Sequence, residues 1–543
     1  MSKKLSRRDF ARTSAAVGAA AVALPKAVFG ESVAVAAPAP ATSEPFTTAA
    51  VKGAEVARRR LVSLPPQGFA YGGDPASSVA EFRDSIVFAN SPVVSATGEP
   101  QAVRLRGHYS SAIAVQAVPR DGSWGEGLTI PSEYYVDPKH FATDERFLAE
   151  NLWFMVDHEN RIPKPGDYFV FEYGSGDSVI ILRDKAGAVA AFHNVCRHRG
   201  SRLCRHDDDP APKDVRLSVK QLGSNGNTPL FRCPYHAWTY DLSGSLISAP
   251  NGMPADFKMA ENGLRPCHVK TSEGFIFVNL AHGEAPDFDS VVKSFAAVAK
   301  EYGTADLKIV ARASAPTKAN WKLVLENFLE CYHCGPAHRA LVTAHPFWDG
   351  TMAQDRRTRL AKELERFATA PERGVEGSGQ AAGMAQTAPG VAYGGNVLGA
   401  GMVSGTLDGK PASTLLPTRK EWTHRSRLVS TSWSTGYLQC YDDHVACVRF
   451  TPRGVNLTDA ELFWLVGADA KPKDYSVEKL KGLWEVTYLE DRWITENNHK
   501  GIESGHYSSG RYAAVETGPS RFIKWYMTEV VPAAAKARQT NAE

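Results

Sequence analysis

The 543-residue sequence has few cysteines, no long apolar run and almost no net charge. Its eight cysteines are too few for a disulfide framework in a chain of this length. Six of the 62 basic residues and one of the 59 acidic residues fall within residues 1–30, so the other 513 carry 56 basic and 58 acidic side chains. Because no excess of positive charge remains outside the N-terminus, the composition argues against nucleic-acid binding.

A nucleotide-binding loop is also missing. Glycines cluster at Gly399-Ala-Gly401 and Gly405, but this cluster neither follows a predicted strand nor opens a predicted helix. We therefore expect no flavin or nicotinamide site in the chain. A composition that is 43% hydrophobic and 22% charged is typical of a soluble globular protein, and the length suggests roughly two to four domains.

The first 40 residues are typical of an export signal rather than a membrane anchor. A basic stretch leads into Ala15–Leu24, an apolar run that Pro25 ends, and ten residues are too few to cross a bilayer. Ser6-Arg7-Arg8-Asp9-Phe10 resembles a twin-arginine signal, and small residues follow at Ala34-Val-Ala36. We expect residues 1–40 to direct export to the periplasm and no integral membrane segment. If they are only a frayed basic N-terminus, the protein is cytoplasmic.

Hydrophobic periodicity divides the rest of the chain into three parts. Residues 41–128 are rich in Ala, Ser, Gly and Pro, and we expect an N-terminal extension without chemistry. Over residues 129–285, the spacing of Phe141–Phe154 predicts a helix, and short β-like runs between turns predict a small antiparallel domain. Residues 286–543 combine further strand-like runs with helices near 287–302, 320–334 and 476–504, which predicts an α+β domain.

Two Cys/His pairs, Cys196-Arg-His198 and Cys233-Pro-Tyr-His236, lie in the predicted β domain. Two thiolates and two imidazoles suit either tetrahedral zinc or a [2Fe–2S] cluster in which histidines replace the cysteines on one iron. Each pair is followed by turn residues between strands, whereas a zinc finger would place its histidines on a helix. The pattern therefore favours the cluster. Cys204-Arg-His206 is a competing Cys-x-His for the first ligand pair.

The segments around these pairs, His193–Cys204 and Phe231–Gly244, resemble the cluster loops of Rieske oxygenase α subunits. The resemblance implies a Rieske [2Fe–2S] cluster bound by four side chains, Cys196, His198, Cys233 and His236. The sequence departs from the family pattern at two points. The insertion at 205–230 makes the segment between the loops unusually long, and Ala237 stands where the family usually has glycine.

A second set of candidate ligands follows in the α+β domain. Asn320–His338 is predicted to be a helix in which Glu330 and His333 share one face, and a different stripe is apolar: Trp321, Val324, Leu325, Phe328 and Tyr332. On a straight helix His338 would point about 140° away from His333, at ~100° per residue. Gly335-Pro336 could turn the chain and bring the two histidines together.

Two imidazoles and one carboxylate form the kind of site that binds Fe(II) and leaves positions open for O2 and substrate. The predicted helix at 476–504 offers Asp491, within a stripe marked by Leu480, Trp484, Tyr488 and Ile494. Burying a carboxylate there is costly unless it binds a cation. From the spacing alone, Asp491 is equally a satisfied core residue or an iron ligand.

The family resemblance extends to both of these segments. Glu330-x2-His333-x4-His338 is similar to the two-histidine segment of Rieske oxygenases, and Glu490–Glu496 to the segment that supplies their carboxylate. The resemblance implies a mononuclear iron bound by His333, His338 and Asp491. It also implies that Glu330 links this iron to a cluster histidine, here His236, of the neighbouring subunit. Glu330 and Asp491 are therefore the expected catalytic residues.

The resemblance covers about residues 129–505 and implies the catalytic subunit of a Rieske non-haem iron oxygenase. The fold that it implies is a Rieske β domain plus a helix-grip α+β domain of antiparallel sheet and long helix. In the family, a separate reductase or ferredoxin supplies electrons to the cluster, and the mononuclear Fe(II) activates O2 to hydroxylate or N-demethylate a small organic substrate. Subunits commonly form trimers. Glu330–His338 looks most like the branch that acts on quaternary amines such as glycine betaine and carnitine, rather than on aromatic rings.

Other interpretations remain open from the sequence. A respiratory Rieske electron carrier would share the cluster, but it would have a disulfide at the places that match Ser201 and Tyr235 and no use for a second metal site. A zinc-stabilised binding protein is a third possibility. Cys331-Tyr-His-Cys334 is formally a redox-active Cys-x2-Cys pair. Five aromatic residues could line either a cation–π cage or the core: Trp422, Trp433, Tyr437, Tyr441 and Trp464.

Overall fold

The computed structural model describes residues 124–540, with gaps at 207–208, 210–218, 251, 354, 357, 360–384, 389–390, 432 and 434. The expected signal at 1–40 and nearly all of the expected extension at 41–128 lie outside the described residues. Part of the insertion at 205–230 does too.

The first described helices are α1, Glu133–Val136, and α2, Pro138–Asn151. The side chain of Asp137 accepts a hydrogen bond from the backbone N–H of Lys139, and Pro138 occupies the first turn, where its missing N–H leaves no donor unsatisfied. The predicted helix at 141–154 therefore begins earlier than expected. It also ends earlier, because the chain is already extended at Phe154, the first residue of strand β1.

The β domain consists of three small antiparallel sheets among the described residues, with strand orders β1-β10-β9, β4-β3-β2-β5 and β6-β7-β8. Buried residues of β2, β3, β6 and β7 pack into one apolar core together with the two cysteines Cys196 and Cys233. The strands are β1 Phe154–His158, β2 Asp167–Tyr173, β3 Asp177–Arg183, β4 Val189–His193, β5 Asn225–Asn227, β6 Phe231–Arg232, β7 Thr239–Tyr240, β8 Leu246–Ser248, β9 His268–Ser272 and β10 Phe275–Asn279.

The α+β domain is built on a seven-stranded antiparallel sheet with strand order β11-β17-β16-β15-β14-β13-β12. Helix α3, Phe288–Glu301, begins at Asp287, whose side chain accepts hydrogen bonds from the backbone N–H groups of Asp289 and Ser290. This helix packs on one face of the sheet, against Leu438 and Phe463 among others. The strands are β11 Leu307–Ser314, β12 Ala385–Ala388, β13 Val391–Val397, β14 Arg425–Ser430, β15 Gly436–Cys440, β16 Val445–Gly454 and β17 Leu457–Gly467.

The other face of this sheet is covered by a long helix that the sequence predicted within one residue at each end. Helix α7 spans Val477–Glu503, and the hydroxyl of Ser476 caps it by accepting the backbone N–H of Lys479. Its buried stripe includes the predicted Leu480, Trp484, Tyr488 and Asp491. Among the described residues, no helix is both long and apolar enough to cross a bilayer.

The helix predicted for 320–334, with a turn at Gly335-Pro336, begins as expected but ends earlier. The structure has three short helices there, α4 Trp321–Phe328, α5 Cys334–Ala337 and α6 Arg339–Ala344. The chain leaves helical geometry at Leu329, not at Gly335-Pro336, so Glu330 and His333 lie on a turn and not on a helix face. Tyr332, which the prediction placed in the apolar stripe, is 48% exposed.

A buried ion pair anchors the start of α4. Asp144 of α2 pairs with Lys322 and accepts hydrogen bonds from the indole N–H of Trp321 at 3.1 Å and from the Tyr526 hydroxyl at 2.8 Å. The C-terminal helices α8 Thr517–Trp525 and α9 Val531–Thr540, joined by a π-helix at Tyr526–Val530, are thereby tied to the segment that leads into the candidate iron site. Short 3₁₀-helices occupy Glu159–Arg161, Met259–Glu261, Thr304–Asp306 and Pro346–Trp348.

Candidate metal centres

The two Cys/His pairs lie on two turns of the same type. In the first, the N–H of Gly200 donates to the carbonyl of Cys196 at 3.0 Å; in the second, the N–H of Ala237 donates to the carbonyl of Cys233 at 3.0 Å. Gly200 has φ 77° and Ala237 has φ 59°. Both turns therefore end in the left-handed region, which glycine adopts readily and alanine does not.

The turns bring all four predicted cluster ligands together. The side chains of Cys196 and Cys233 are neighbours, and the interaction with Cys196 lowers the pKa of Cys233. The imidazole rings of His198 and His236 have centroids 4.6 Å apart. His198 Nδ1 is buried and has no hydrogen-bond partner among the described residues, as a nitrogen reserved for a metal would be. Two neighbouring sulfurs and two neighbouring imidazoles are the donor set that a Rieske cluster requires.

The competing pair, Cys204 and His206, has other contacts. His206 Nδ1 lies 3.3 Å from a carboxylate oxygen of Glu172. The side chain of Asn194 accepts the backbone N–H of Cys204 at 2.9 Å, and burial raises the pKa of the Cys204 thiol. Cys204 thus belongs to the apolar core that supports the first turn.

Two neighbours of the cluster ligands were not singled out from the sequence. The Tyr240 hydroxyl accepts the backbone N–H of Arg197 at 3.0 Å and lies 3.3 Å from the sulfur of Cys196, so its hydrogen points to the sulfur. Trp238 stacks on His198 with ring centroids 4.8 Å apart and planes 9° from parallel. Both residues stand just after the second turn in Ala237-Trp-Thr-Tyr240, a position that could have suggested these roles.

The second set of ligands, His333, His338 and Asp491, also converges. One ligand atom from each residue lies within 4.8 Å of the other two. Asp491 Oδ1 is 3.2 Å from His333 Nε2 and 2.8 Å from His338 Nε2. The two histidines come from the turn after α4 and from the start of α6, and Asp491 comes from the middle of α7.

A second carboxylate fixes the orientation of each imidazole. Glu330 lies 2.5 Å from His333 Nδ1, and Glu490 lies 2.8 Å from His338 Nδ1. Because a carboxylate accepts the Nδ1 proton, Nε2 is the nitrogen of each ring that would give up its proton to bind a metal. The sequence analysis assigned a role to Glu330 but none to Glu490. The signal for Glu490 was its place beside Asp491 in Glu490-Asp-Arg.

These contacts shift the pKa values of the three ligands. Burial lowers the pKa of His333, but hydrogen bonds to Asp491 and Glu330 outweigh burial and raise it to about 10. Burial also opposes the shift at His338, whose pKa is raised chiefly by Asp491. Burial raises the pKa of Asp491, yet its bonds to the two imidazoles outweigh that effect and hold the pKa below its usual range. Asp491 is therefore an anion, as a metal ligand must be.

The chemistry of this donor set fits a mononuclear iron. Two imidazole nitrogens and one carboxylate on one side of a site, with the other positions free, are typical of non-haem Fe(II) oxygenases. Hydrogen bonds now occupy the directions along which His333 and His338 would bind the metal, so a cation would replace two protons. The side-chain nitrogen of Asn327 lies 3.3 Å from His333 Nε2 and borders the same space.

Three of the five aromatic residues that could have formed a cage make aromatic contacts in two places. Trp433 packs on Phe522 and Trp525, with ring centroids 5.6 and 5.0 Å away. Tyr437 and Tyr441 instead face Trp484 of α7: the Tyr437 ring centroid is 5.8 Å from that of Trp484, and the Tyr441 hydroxyl accepts the Trp484 indole N–H at 3.1 Å. Trp433 thus packs against the C-terminal helix α8, whereas Tyr437 and Tyr441 pack against α7.

Comparison with known proteins agrees with both sites. The chain matches the Rieske [2Fe-2S] domain over residues 152–261 and the ring hydroxylating alpha subunit (catalytic domain) over residues 304–531. It is 33% identical over 406 residues to the glycine betaine monooxygenase oxygenase subunit of Chromohalobacter salexigens, covering 73% of this chain and 85% of the relative. It is 31% identical over 412 residues to the subunit of the same name from Pseudomonas aeruginosa, covering 74% and 88%. A solved structure of a quaternary ammonium Rieske monooxygenase has the same fold, with TM-score 0.54 and 21% identity over 75% of this chain and 96% of that one.

The matched domains define a Rieske-type oxygenase. The chain belongs to this family as a catalytic α subunit, and its relatives include the quaternary amine monooxygenases. Its cofactors are a Rieske [2Fe–2S] cluster and a mononuclear iron. The catalytic-domain match over residues 304–531 disfavours a respiratory electron carrier, which has no use for that domain. The Rieske match likewise disfavours a zinc-stabilised binding protein.

Proposed function

We propose that this protein oxidises a quaternary amine with O2, and that its ligands are those predicted from the sequence. Cys196, His198, Cys233 and His236 hold the [2Fe–2S] cluster, and His333, His338 and Asp491 hold the mononuclear iron. The observation that carries the proposal is the convergence of His333, His338 and Asp491, each histidine backed by its own carboxylate. When bound, the iron supplies the activation of O2.

The protein's own groups have separable roles in this reaction. Glu330 and Glu490 hold the two imidazoles in one tautomer, so that their Nε2 atoms face Asp491. The backbone N–H groups of Tyr332 and His333 in turn donate to Glu330 and fix its carboxylate in the turn. His338 and Asp491 are 1% and 9% exposed in their side chains, which keeps bulk water away from the reacting centre.

A quaternary amine is the favoured substrate class for two reasons. The relatives that match over most of their length are named glycine betaine monooxygenase oxygenase subunits. In addition, Tyr437, Phe328 and Trp484 form an aromatic wall near Asp491, with Tyr437 centred 4.6 Å from Phe328. Aromatic faces attract quaternary ammonium groups through cation–π interactions.

The test of this activity is O2 uptake and product formation by the metal-loaded protein with an artificial one-electron reductant. Glycine betaine, carnitine, γ-butyrobetaine and aromatic acids are offered as substrates. The proposal predicts O2 uptake matched by a demethylated or hydroxylated quaternary amine. Oxidation of the aromatic acids alone would contradict it.

We also propose a homotrimer in which the cluster of one subunit serves the iron of the next, with Glu330 between His236 and His333. Large apolar side chains are exposed at both sites: Tyr332 (48%), Leu489 (38%) and Trp493 (74%) near the iron ligands, and Val195 (47%) and Tyr235 (56%) at the cluster. Exposed apolar groups at two such places support a head-to-tail contact.

Trp493→Asp should reduce the mass measured by light scattering to that of a monomer and abolish turnover, and an unchanged mass would contradict the assignment.

Electrons would come from a separate reductase or ferredoxin, because the sequence has no flavin or nicotinamide loop.

We further propose export by the twin-arginine route, on the basis of Arg7-Arg8 in Ser6–Phe10. An exported enzyme has no NADH pool, so its donor would be an envelope protein. Changing Arg7 and Arg8 to Lys should leave the protein in the cytoplasmic fraction, whereas unchanged fractionation would contradict the signal.

A further inference from the structure

Among the buried polar side chains of the catalytic domain that lack a hydrogen-bond partner in the described residues, three lie on one face of the sheet and are not used by the metal site. Gln439 is fully buried, and neither its side-chain nitrogen nor its oxygen has a hydrogen-bond partner among the described residues. The same holds for the indole N–H of Trp464 and the hydroxyl of Tyr437, which are 0% and 1% exposed. Unpaired polar groups are rare in folded interiors because each loses its bonds to water without replacement. Three in one region therefore indicate that something absent from the bare chain pairs with them.

Strand register places these groups on one face of the seven-stranded sheet. Gln439 of β15 lies opposite Ala446 of β16, and Ala446 lies opposite Trp464 of β17. Directly opposed residues of antiparallel strands point to the same face, so the small Ala446 separates two long polar side chains. Gln439 and Trp464 are thus about 10 Å apart at their Cα atoms, two strand spacings. Tyr437 is two residues before Gln439 and also faces this side.

This face lies under helix α7, beside the metal ligands. Tyr437, Ala446 and Trp464 belong to the same core cluster as Trp484 and Tyr488 of α7. Asp491 follows Trp484 by seven residues on the helix, which is two turns and ~10 Å along the same side. Tyr437 is near Asp491, and Tyr441 bonds to Trp484. Gln439 stands between Tyr437 and Tyr441 on the strand, so its carboxamide lies along the wall that runs away from the metal.

The unpaired groups are mainly hydrogen-bond donors. Gln439 has two N–H donors and one carbonyl acceptor, Trp464 has one N–H donor, and Tyr437 has a hydroxyl that can donate. A carboxylate matches this set because it only accepts and offers about four lone-pair positions. A hydroxyl or a hydrocarbon end would leave most of the donors unpaired.

Building on the proposed function, we infer that Gln439 and Trp464 bind the carboxylate of a small betaine and thereby position its N-methyl groups toward the mononuclear iron site. The ammonium end then lies against the aromatic wall of Tyr437, Phe328 and Trp484. Because the ammonium group of the substrate offsets the charge of its carboxylate, the uncharged donors of Gln439 and Trp464 are sufficient to bind that carboxylate. Gln439 and Trp464 are positioning and specificity residues for betaines.

The test compares glycine betaine with choline, which has the same trimethylammonium group but a hydroxymethyl group in place of the carboxylate. The variant is Gln439→Met, which keeps the length of the side chain and removes the carboxamide. In the metal-loaded protein, we expect Gln439→Met to lower kcat/KM for glycine betaine at least ~10-fold and to change that for choline less than ~2-fold. Replacing Trp464 by its benzothienyl analogue, in which sulfur replaces N–H, should act in the same direction.

Thermal unfolding separates substrate positioning from a structural role. Without substrate, Gln439→Met should unfold at the same or a higher temperature than the native chain, because it removes an unpaired buried amide. The rise in Tm that glycine betaine produces in the native protein should be lost. Thr451→Val is the matched control, since it removes another buried, unpartnered polar atom from the opposite face of the same sheet. It should change neither the substrate preference nor the rise in Tm.

The outcomes distinguish this inference from the proposed function. If the native enzyme oxidises glycine betaine and Gln439→Met keeps the native preference for glycine betaine over choline, the inference is wrong and the proposed function stands. A native preference for choline would likewise overturn the carboxylate assignment. If the native enzyme oxidises no quaternary amine, the proposed function itself fails. A loss of preference with unchanged unfolding temperature supports the inference.

Discussion

The cluster site and the iron site assemble their ligands in different ways. The cluster pairs lie on two equivalent turns within one small β domain, each closed by a hydrogen bond to the cysteine carbonyl. The proposed iron ligands come from distant parts of the chain, since His338 and Asp491 are 153 positions apart. The cluster site is formed by two local turns and lies beside the exposed Tyr235. The iron site is buried and forms where α6 packs against α7. Changes at one site should therefore leave the other intact, and the predictions below test that separation.

His333→Ala should have the largest effect. Turnover should fall by more than ~100-fold, beyond the cost of losing only an outer hydrogen-bond partner, because a direct ligand is removed. The visible spectrum of the Rieske cluster should remain unchanged. His282→Ala, at an exposed histidine, is the control and should keep both properties. Loss of the cluster spectrum in His333→Ala would show that the two sites are not independent.

Glu490→Gln should weaken iron binding by about 10–100-fold, since the carboxylate that orients His338 is lost while the ligand remains. The measurement is competition between the protein and a chelator for Fe(II). Glu485→Gln is a matched change on the same helix, at a residue that pairs with Lys481, and should bind iron as the native chain does. Equally weakened iron binding in both variants would show that the effect comes from removing a negative charge from the helix and not from the contact with His338.

Tyr240→Phe should act on the cluster alone. Removing the hydroxyl that points to the Cys196 sulfur should lower the reduction potential by about 20–60 mV, the equivalent of a hydrogen bond of ~0.5–1.5 kcal/mol. Iron content at the mononuclear site should not change. Potentiometric titration of the Rieske signal gives the result, and an unchanged potential would mean that the hydroxyl does not bond to the sulfur.

Ala237→Gly should have the smallest effect, a gain of about 0.5–1 kcal/mol in the free energy of unfolding, because alanine at φ 59° is strained and glycine is not. Gly200→Ala is the reverse change in the equivalent turn, where an added Cβ would contact nothing within 4 Å. Gly200→Ala should lower the free energy of unfolding by a similar amount. Chemical denaturation measures both. A less stable Ala237→Gly variant or a more stable Gly200→Ala variant would contradict the equivalence of the two turns.

Local patterns allowed the candidate cluster residues to be singled out. Cys196, His198, Cys233 and His236 stand at short spacings, and the turns that follow them depend on nearby residues such as Gly200 and Ala237. Helix α7 was predictable for the same reason, since Ser476 caps it and Leu480, Trp484 and Tyr488 repeat at helical spacing. In each case, the signal lies within one element.

The parts that the sequence could not show depend on contacts between distant elements. The helix predicted for 320–334 was expected to continue to Gly335-Pro336 because its apolar spacing is helical, but Glu330 accepts the N–H groups of Tyr332 and His333 and stabilises a turn instead. The role of Glu490 could be recognised only from the structure, in which α7 packs against His338. The division of the aromatic residues likewise followed from the sheet, which places Trp433 against the C-terminal helix and Tyr437 under α7.

The most direct test of two separate metal centres in one chain is Mössbauer spectroscopy of the protein reconstituted with ⁵⁷Fe, together with iron and zinc analysis. The account predicts about three irons per chain, two in a [2Fe–2S] cluster with one histidine-ligated iron and one as high-spin Fe(II) outside it. His333→Ala should lose only the third component. A native protein with two irons and no mononuclear component, or with zinc in either site, would contradict the account.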